Sequence, residues 1–216
     1  MIFFENRNSE LAKRVSEACS DAGEEVVDVS TFSSLQDALA SKGTPRAYVL
    51  SPPERCEATA LSEALQDPQK ALDFGNSLYA EAKSFLSDCR SMTQAMMAEK
   101  SGQLLFLGVD DVAARLIGKT QNPIGNQMRV SAFRSLAKEY GRMGIRFNAI
   151  ISQPSKESVE SGVWRQKRDA LKVYTMRFSP VEIDEYANFC AQALNQGLPV
   201  NGGQICLGKG VMEMSA

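Results

Sequence analysis

The sequence predicts an α/β fold, a doubly wound parallel sheet with helices on both faces. Two observations carry this. Short apolar runs alternate with longer amphipathic segments along nearly the whole chain, the signature of strand–helix–strand units. The run 103–108, QLLFLG, is almost continuously apolar, as a strand covered on both faces must be. A chain of 216 residues, 44% hydrophobic and 23% charged, suits one domain with a sizeable core. No repeat, linker or low-complexity tract divides it, so residues 1–216 are read as a single domain.

The elements follow in order. Ile2 to Phe4 reads as a short buried strand. Ser9 to Ala22 reads as a helix with Leu11, Val15, Ala18 and Cys19 on one face, Asn8 or Ser9 as N-cap and Gly23 just past its end. Val26 to Val29 is a second strand, Ser33 to Lys42 a helix, and Ala47 to Ser51 a strand stopped by Pro52 and Pro53. A short helix over Thr59 to Leu65 precedes a long or broken one over Gln69 to Ala98. The methionines of that long helix (Met92, Met96, Met97) recur at helical spacing and read as packing residues.

After Gln103 to Gly108, the stretch Gln121 to Tyr140 is amphipathic. Met128, Ala132, Leu136 and Tyr140 recur at four-residue spacing, and Phe133 and Ala137 widen the stripe. Gly141 and Gly144 end this helix before the strand Ile145 to Ile151. Lys156 to Tyr174 is polar and basic-leaning, a solvated surface helix pair or a partner-facing flap. Ser179 as N-cap and Pro180 at the first helical position open the last helix. Gly202 to Gly210 holds the final strand.

Composition excludes several classes. A net charge of −2 supplies no basic surface for nucleic acid. No apolar run reaches the length of a membrane span, and the N-terminus lacks a basic n-region, so a cytoplasmic protein is expected. Five scattered cysteines form no Cys-x-x-Cys pair, which fits reduced thiols and no metal site. The chain contains no histidine, so every His-dependent triad and His-ligated metal is excluded.

The phrase LAKEYGRMGIRFNAI (136–150) and the segment GGQICLGKG (202–210) resemble the short-chain dehydrogenase/reductase family, and the likeness extends from Ile2 to Gly210. The resemblance implies a Rossmann-like fold, here trimmed by about one βα unit near the N-terminal half. It also implies where the chemistry should sit. The three glycines of the family's first turn fall at Asn6, Glu10 and Ala12, and its catalytic Ser, Tyr and Lys fall at Val109, Asn122 and Asn126. The family's additional Asn falls near Glu81 or Ala82. None of these positions keeps the family residue. Glycines there let the backbone approach a pyrophosphate at a helix N-terminus, and side chains fill that space. Val109 has no polar atom, and the carboxamides of Asn122 and Asn126 cannot act as a general acid. Capping by Asn122 ahead of Pro123 is the simpler role for that residue. Glu5 and Glu10 place negative charge where phosphates would lie, or else sit in a solvated loop and complement the helix dipole.

The resemblance therefore implies a non-catalytic subunit. It is expected to bind neither cofactor nor metal, and to assemble in a heteromer with an active homologue that carries NAD(P). The long helix and the helix from Pro123 form the family's main dimer interface, and the last strand and its tail, with Met212 and Met214, a second. Acyl-CoA or ketoacyl metabolism, such as anaerobic toluene (benzylsuccinate) degradation, is the expected setting, and the basic 156–174 segment could meet the phosphates of a CoA thioester. Two other readings stay open: a homo-oligomeric binding or regulatory protein using the old cleft, and an oxidoreductase whose acid has moved to Tyr48, Tyr79 or Tyr174.

Overall fold

The computed structural model describes residues 1–51, 64–110, 123–157, 175–176, 180–208 and 211–212. The expectations for 59–63, for Asn122, for 158–174 including Tyr174, for Ser179 and for Met214 lie outside these residues. The strands β1 (Ile2–Phe4), β2 (Val26–Asp28), β3 (Ala47–Leu50), β4 (Gly102–Val109), β5 (Ile145–Ser152) and β7 (Gln204–Leu207) form one sheet. Its order is β2-β1-β3-β4-β5-β7 and every pairing is parallel. β6 (Thr175–Met176) and β8 (Val211–Met212) make a separate antiparallel ladder.

Two helix layers cover the sheet. α1 (Glu10–Asp21) and α5 (Ile183–Gln196) pack over Ile2, Phe4, Val49, Leu105 and Ile150. α2 (Leu35–Lys42), α3 (Pro68–Glu99) and α4 (Pro123–Tyr140) pack over the alternate residues Phe3, Tyr48, Leu50, Leu104, Phe106 and Phe147. Every residue of β1 and β3 is buried, which is why these strands read as unbroken apolar runs.

The connections explain the layering. The chain passes from β1 to β2 in one direction, then from β2 across β1 to β3 in the other. A constant crossover hand then forces α1 and α2 to opposite faces. α3 and α4 continue in the direction of α2 and share its face. The β5–α5–β7 connection advances in that same direction but lies on the α1 face, so its hand is opposite to that of the others. The trimmed edge is now placed: β2 pairs only with β1, so among the described residues the sheet ends there.

Most local signals act as expected. Ser9 caps α1, its Oγ accepting from Ala12 N–H at 3.1 Å, and Gly23 follows the helix with φ +85°. Ser34 caps α2 and Asp67 caps α3, which runs unbroken through 32 residues. Two readings need correction. The last helix does not start at Pro180 but at Ile183, because its first turn is held from a distance: Ile183 N–H donates to Glu157 Oε2 at 3.0 Å. On α4 the line facing the core is Val130, Phe133 and Ala137. The Met128–Ala132–Leu136–Tyr140 row is only half-buried at its flank.

Gly144 closes the turn into β5 with φ +77°, and a Cβ there would lie 2.2 Å from the Lys100 carbonyl oxygen. Gly23 has a similar φ but open space around the position of a Cβ. Gly23→Ala is therefore expected to cost about 1 kcal/mol, the left-handed strain alone. Gly144→Ala is expected to cost about 3 kcal/mol or more, because backbone must also move. Urea unfolding midpoints of the two variants check this ordering, and equal losses would refute it.

Candidate functional site

Strand order reverses at β1, so the crevice at the carboxyl ends of β1 and β3 is the topological switch point, where open α/β sheets bind ligands. The loop after β1 (Glu5 to Ser9) and Ser51 after β3 line it. These residues bond to one another. Ser9 and Ser51 share an Oγ···Oγ hydrogen bond of 2.8 Å, Asn6 Nδ2 donates to the Ser51 carbonyl at 3.4 Å, and Asn8 N–H donates to Asn6 Oδ1 at 3.1 Å. The α1 N-terminus thus has its anion-binding amide at Ala12 occupied by its own cap. Ala12 is fully buried and Glu10 points outward to Arg14, at 3.2 Å.

Glu5 departs from both sequence readings. It is neither solvated nor simply set against a phosphate position. Its carboxylate accepts from Ser51 N–H at 3.2 Å, and by strand alternation its side chain shares the α3 face with Phe3. Burial, reinforced by the nearby Asp88 carboxylate of α3, pushes the Glu5 carboxyl up to about 7, although the Ser51 amide and Arg129 pull the other way. Burial alone raises Asp88 to about 6.

Of the positions expected to mark catalysis, Val109 and Asn126 are among the described residues. Val109 ends β4 opposite Ser152. Asn126 faces inward from α4 and is 3% exposed. One turn further, Arg129 is buried and bonds Glu81 of α3 at 3.2 Å, while its guanidinium lies 5.9 Å from the ring centres of both Phe85 and Phe106. Phe85 and Phe106 in turn contact Phe133. An ion pair between helices thus stands where the sequence register puts the family's additional Asn.

Of the proposed substitute acids, Tyr48 is fully buried, and burial with the facing Glu5 and Asp88 carboxylates holds its phenol protonated far beyond the ordinary range. Tyr79 is 70% exposed on the outer side of α3. Sequence reasoning missed Asp88 and Arg129. A lone Asp and Arg on amphipathic helices carry no local signal of what they face across the core.

No family model matches the chain, and no curated protein matches it by sequence. Solved structures do match. A protein titled "Dehalogenation enzyme" superposes with a TM-score of 0.72 at 18% identity, over 95% of each chain. The fold is Rossmann-like. The ribose-5-phosphate isomerase from Brucella melitensis 16M gives 0.66 at 14% identity, over 95% of this chain and 90% of that one. The TT0495 protein from Thermus thermophilus gives 0.66 at 15% identity, over 95% of this chain and 96% of that one. Titles this varied on one scaffold leave activity to be argued from side chains.

For Glu5 the sign of the pH effect follows from the raised native value. The native chain holds this proton more tightly than the unfolded chain, whose ordinary value is 4.5. Stability from this group is complete below about 4.5 and declines as pH rises through about 7. Glu5→Gln keeps an acceptor for Ser51 and removes the ionisation. The variant is expected to match the parent near pH 4 and to exceed it in urea midpoint near pH 8. A lower midpoint at pH 8 would contradict the assignment.

Proposed function

We propose that this chain is a non-catalytic short-chain dehydrogenase/reductase-like subunit that assembles with an active homologue. The observation that carries the reading is the outer side of α3. Its fully buried residues all lie at Phe85 or beyond, so the first half of a helix about 48 Å long is at most partly covered. Along the helix Leu72, Tyr79 and Leu86 recur every seven residues and are 57%, 70% and 47% exposed, and Ile124 of α4 is exposed as well. A seven-residue repeat on a straight helix is one seam for another helix. The occupant that fits is the equivalent helix pair of a protein with this fold.

The switch-point chemistry supports the lack of a reaction in this chain. A dinucleotide pyrophosphate fits these residues poorly. The Ala12 amide is taken by Ser9, and side chains stand at the positions of Asn6, Glu10 and Ala12. Val109 and Asn126 supply no general acid, and the Tyr48 phenol is held protonated in the core. In this reading NAD(P) sits on the partner, and the substrate belongs to acyl-CoA or ketoacyl metabolism. The compartment is the cytoplasm. Cys19, Cys89, Cys190 and Cys206 as free thiols support that, and among the described residues no helix is long and apolar enough to cross a membrane.

Co-expression with a homologue carrying an intact glycine turn, Ser, Tyr and Lys tests the proposal. A stoichiometric complex is expected, with reductase turnover that needs only the homologue's Tyr. Leu72→Glu with Leu86→Glu is expected to leave the circular dichroism of the chain unchanged. It should weaken the complex by about 3 kcal/mol or more, about a hundredfold in affinity. A stable homodimer indifferent to the homologue would favour a self-assembling binding protein instead, and NADH turnover by the isolated chain would refute the non-catalytic reading.

A further inference from the structure

Gly75 lies inside α3 with no local reason to be glycine. Its φ is not positive, and among the described residues a Cβ there would meet nothing within 4 Å. Glycine is second only to proline in disfavouring a helix interior, because it gives up the most backbone freedom. The chain therefore carries a cost at Gly75 that its own described packing does not require.

The neighbours of Gly75 account for its place. Leu72, Gly75, Tyr79, Ala82 and Leu86 follow at steps of three, four, three and four, the spacing of the two seam positions of a heptad. Large exposed side chains (Leu72, Tyr79, Leu86) alternate with the small Gly75 and Ala82. A strand or loop has no use for that spacing. A second helix does, because its side chains enter the holes between seam residues, and a glycine there lets the two backbones approach.

The flank of the seam carries the charge. Residues beside a heptad seam pair with the opposite helix and select it. Lys83 and Arg90 share one flanking row, seven residues apart, and both are exposed. Among the described residues neither makes a hydrogen bond or an ion pair. No acid occupies either flanking row between Gln69 and Met92, so a second copy of this chain would bring them no carboxylate. Asp73 and Glu81 stand outside those rows and bond Gln69 and Arg129. We propose that α3 docks an amphipathic helix from a different chain, its backbone closest at Gly75 and its acidic flank on Lys83 and Arg90. The choice of face rests on the subunit assembly proposed above, and the glycine contact and the acidic flank go beyond it.

Fluorescence anisotropy of the full chain tests this with a labelled helical peptide, cross-linked along its outer face, that carries a leucine seam and glutamate flanks. A peptide with the same seam and lysine flanks is the control. Saturable binding of the glutamate peptide is expected, about tenfold or more tighter than the lysine peptide at about 50 mM NaCl, with the gap closing towards about 1 M. Gly75→Ala should raise the urea midpoint of the chain and yet weaken the glutamate peptide severalfold, opposite signs that a glycine of no consequence for docking would not show. Gly75→Leu should abolish binding with the circular dichroism unchanged. Lys83→Glu with Arg90→Glu should reverse the preference between the two peptides. No saturable binding, equal affinity for the two peptides at low salt, or binding indifferent to Gly75→Leu would overturn the proposal. So would a homodimer of the chain that Gly75→Leu dissociates, since the occupant would then be a second copy. The homologue's outcome is separate. A complex with it that ignores Gly75→Leu and the charge reversal would keep the subunit reading and sink this docking helix. Peptide binding with no such complex would do the reverse.

Discussion

The ladder between β1 and β3 is the constraint on which the remainder of the molecule rests. Phe3 opposite Tyr48 and Phe4 opposite Val49 fix two strands side by side that are far apart in sequence. Once β2 occupies the other side of β1, this pairing reverses the direction of winding. The reversal sends α1 to one face and α2, α3 and α4 to the other, and it opens the crevice at the carboxyl ends. Removing an outer strand beyond β2 leaves this arrangement intact, because the edge strand has no part in the reversal. A trimmed chain can therefore keep the scaffold's ligand end while shortening its flank.

What fills that end follows from the same register. The pleat directs Phe4 toward α1 and Glu5 toward α3, so the acid leaves the helix N-terminus and enters the apolar side. The N-terminus of α1 is then free to be closed by its own Ser9, steadied by Ser51. An anion there is discouraged because Ser9 already takes the Ala12 amide. Arg129 only partly offsets the Glu5 charge, since Glu81 and two aromatic faces hold the guanidinium.

The fold was largely legible because its signals are local and repeated. Apolar runs at 2–4, 47–50 and 103–107 mark strands that need no polar face, and Ser9, Gly23 and Gly144 mark helix ends within a few residues. The start of α5 was misread because its cap, Glu157, comes from 26 residues upstream. The core face of α4 was misread because Asn126 and Arg129 occupy buried positions that an apolar count passes over. The site was legible only as substitutions, at Asn6, Glu10, Ala12, Val109 and Asn126. Its buried acids, Glu5 and Asp88, come from the end of a strand and from a helix more than 80 residues further along the chain, and no spacing rule relates them.

Helix α3 links the crevice to the exposed flank of the molecule. From Phe85 onward it contributes Phe85, Cys89, Met92 and Met96 to the core, and Asp88 lies one residue from the deeply buried Cys89. Before Phe85 none of its residues is fully buried, although Glu81 bonds the buried Arg129, and Leu72 and Tyr79 stand exposed seven residues apart. Leu72 and Tyr79 contribute little in water, and each adds roughly 1.5–3 kcal/mol when covered. The helix therefore changes character along its length, from an outer stretch with exposed apolar residues to one that closes the core over β3 and β4.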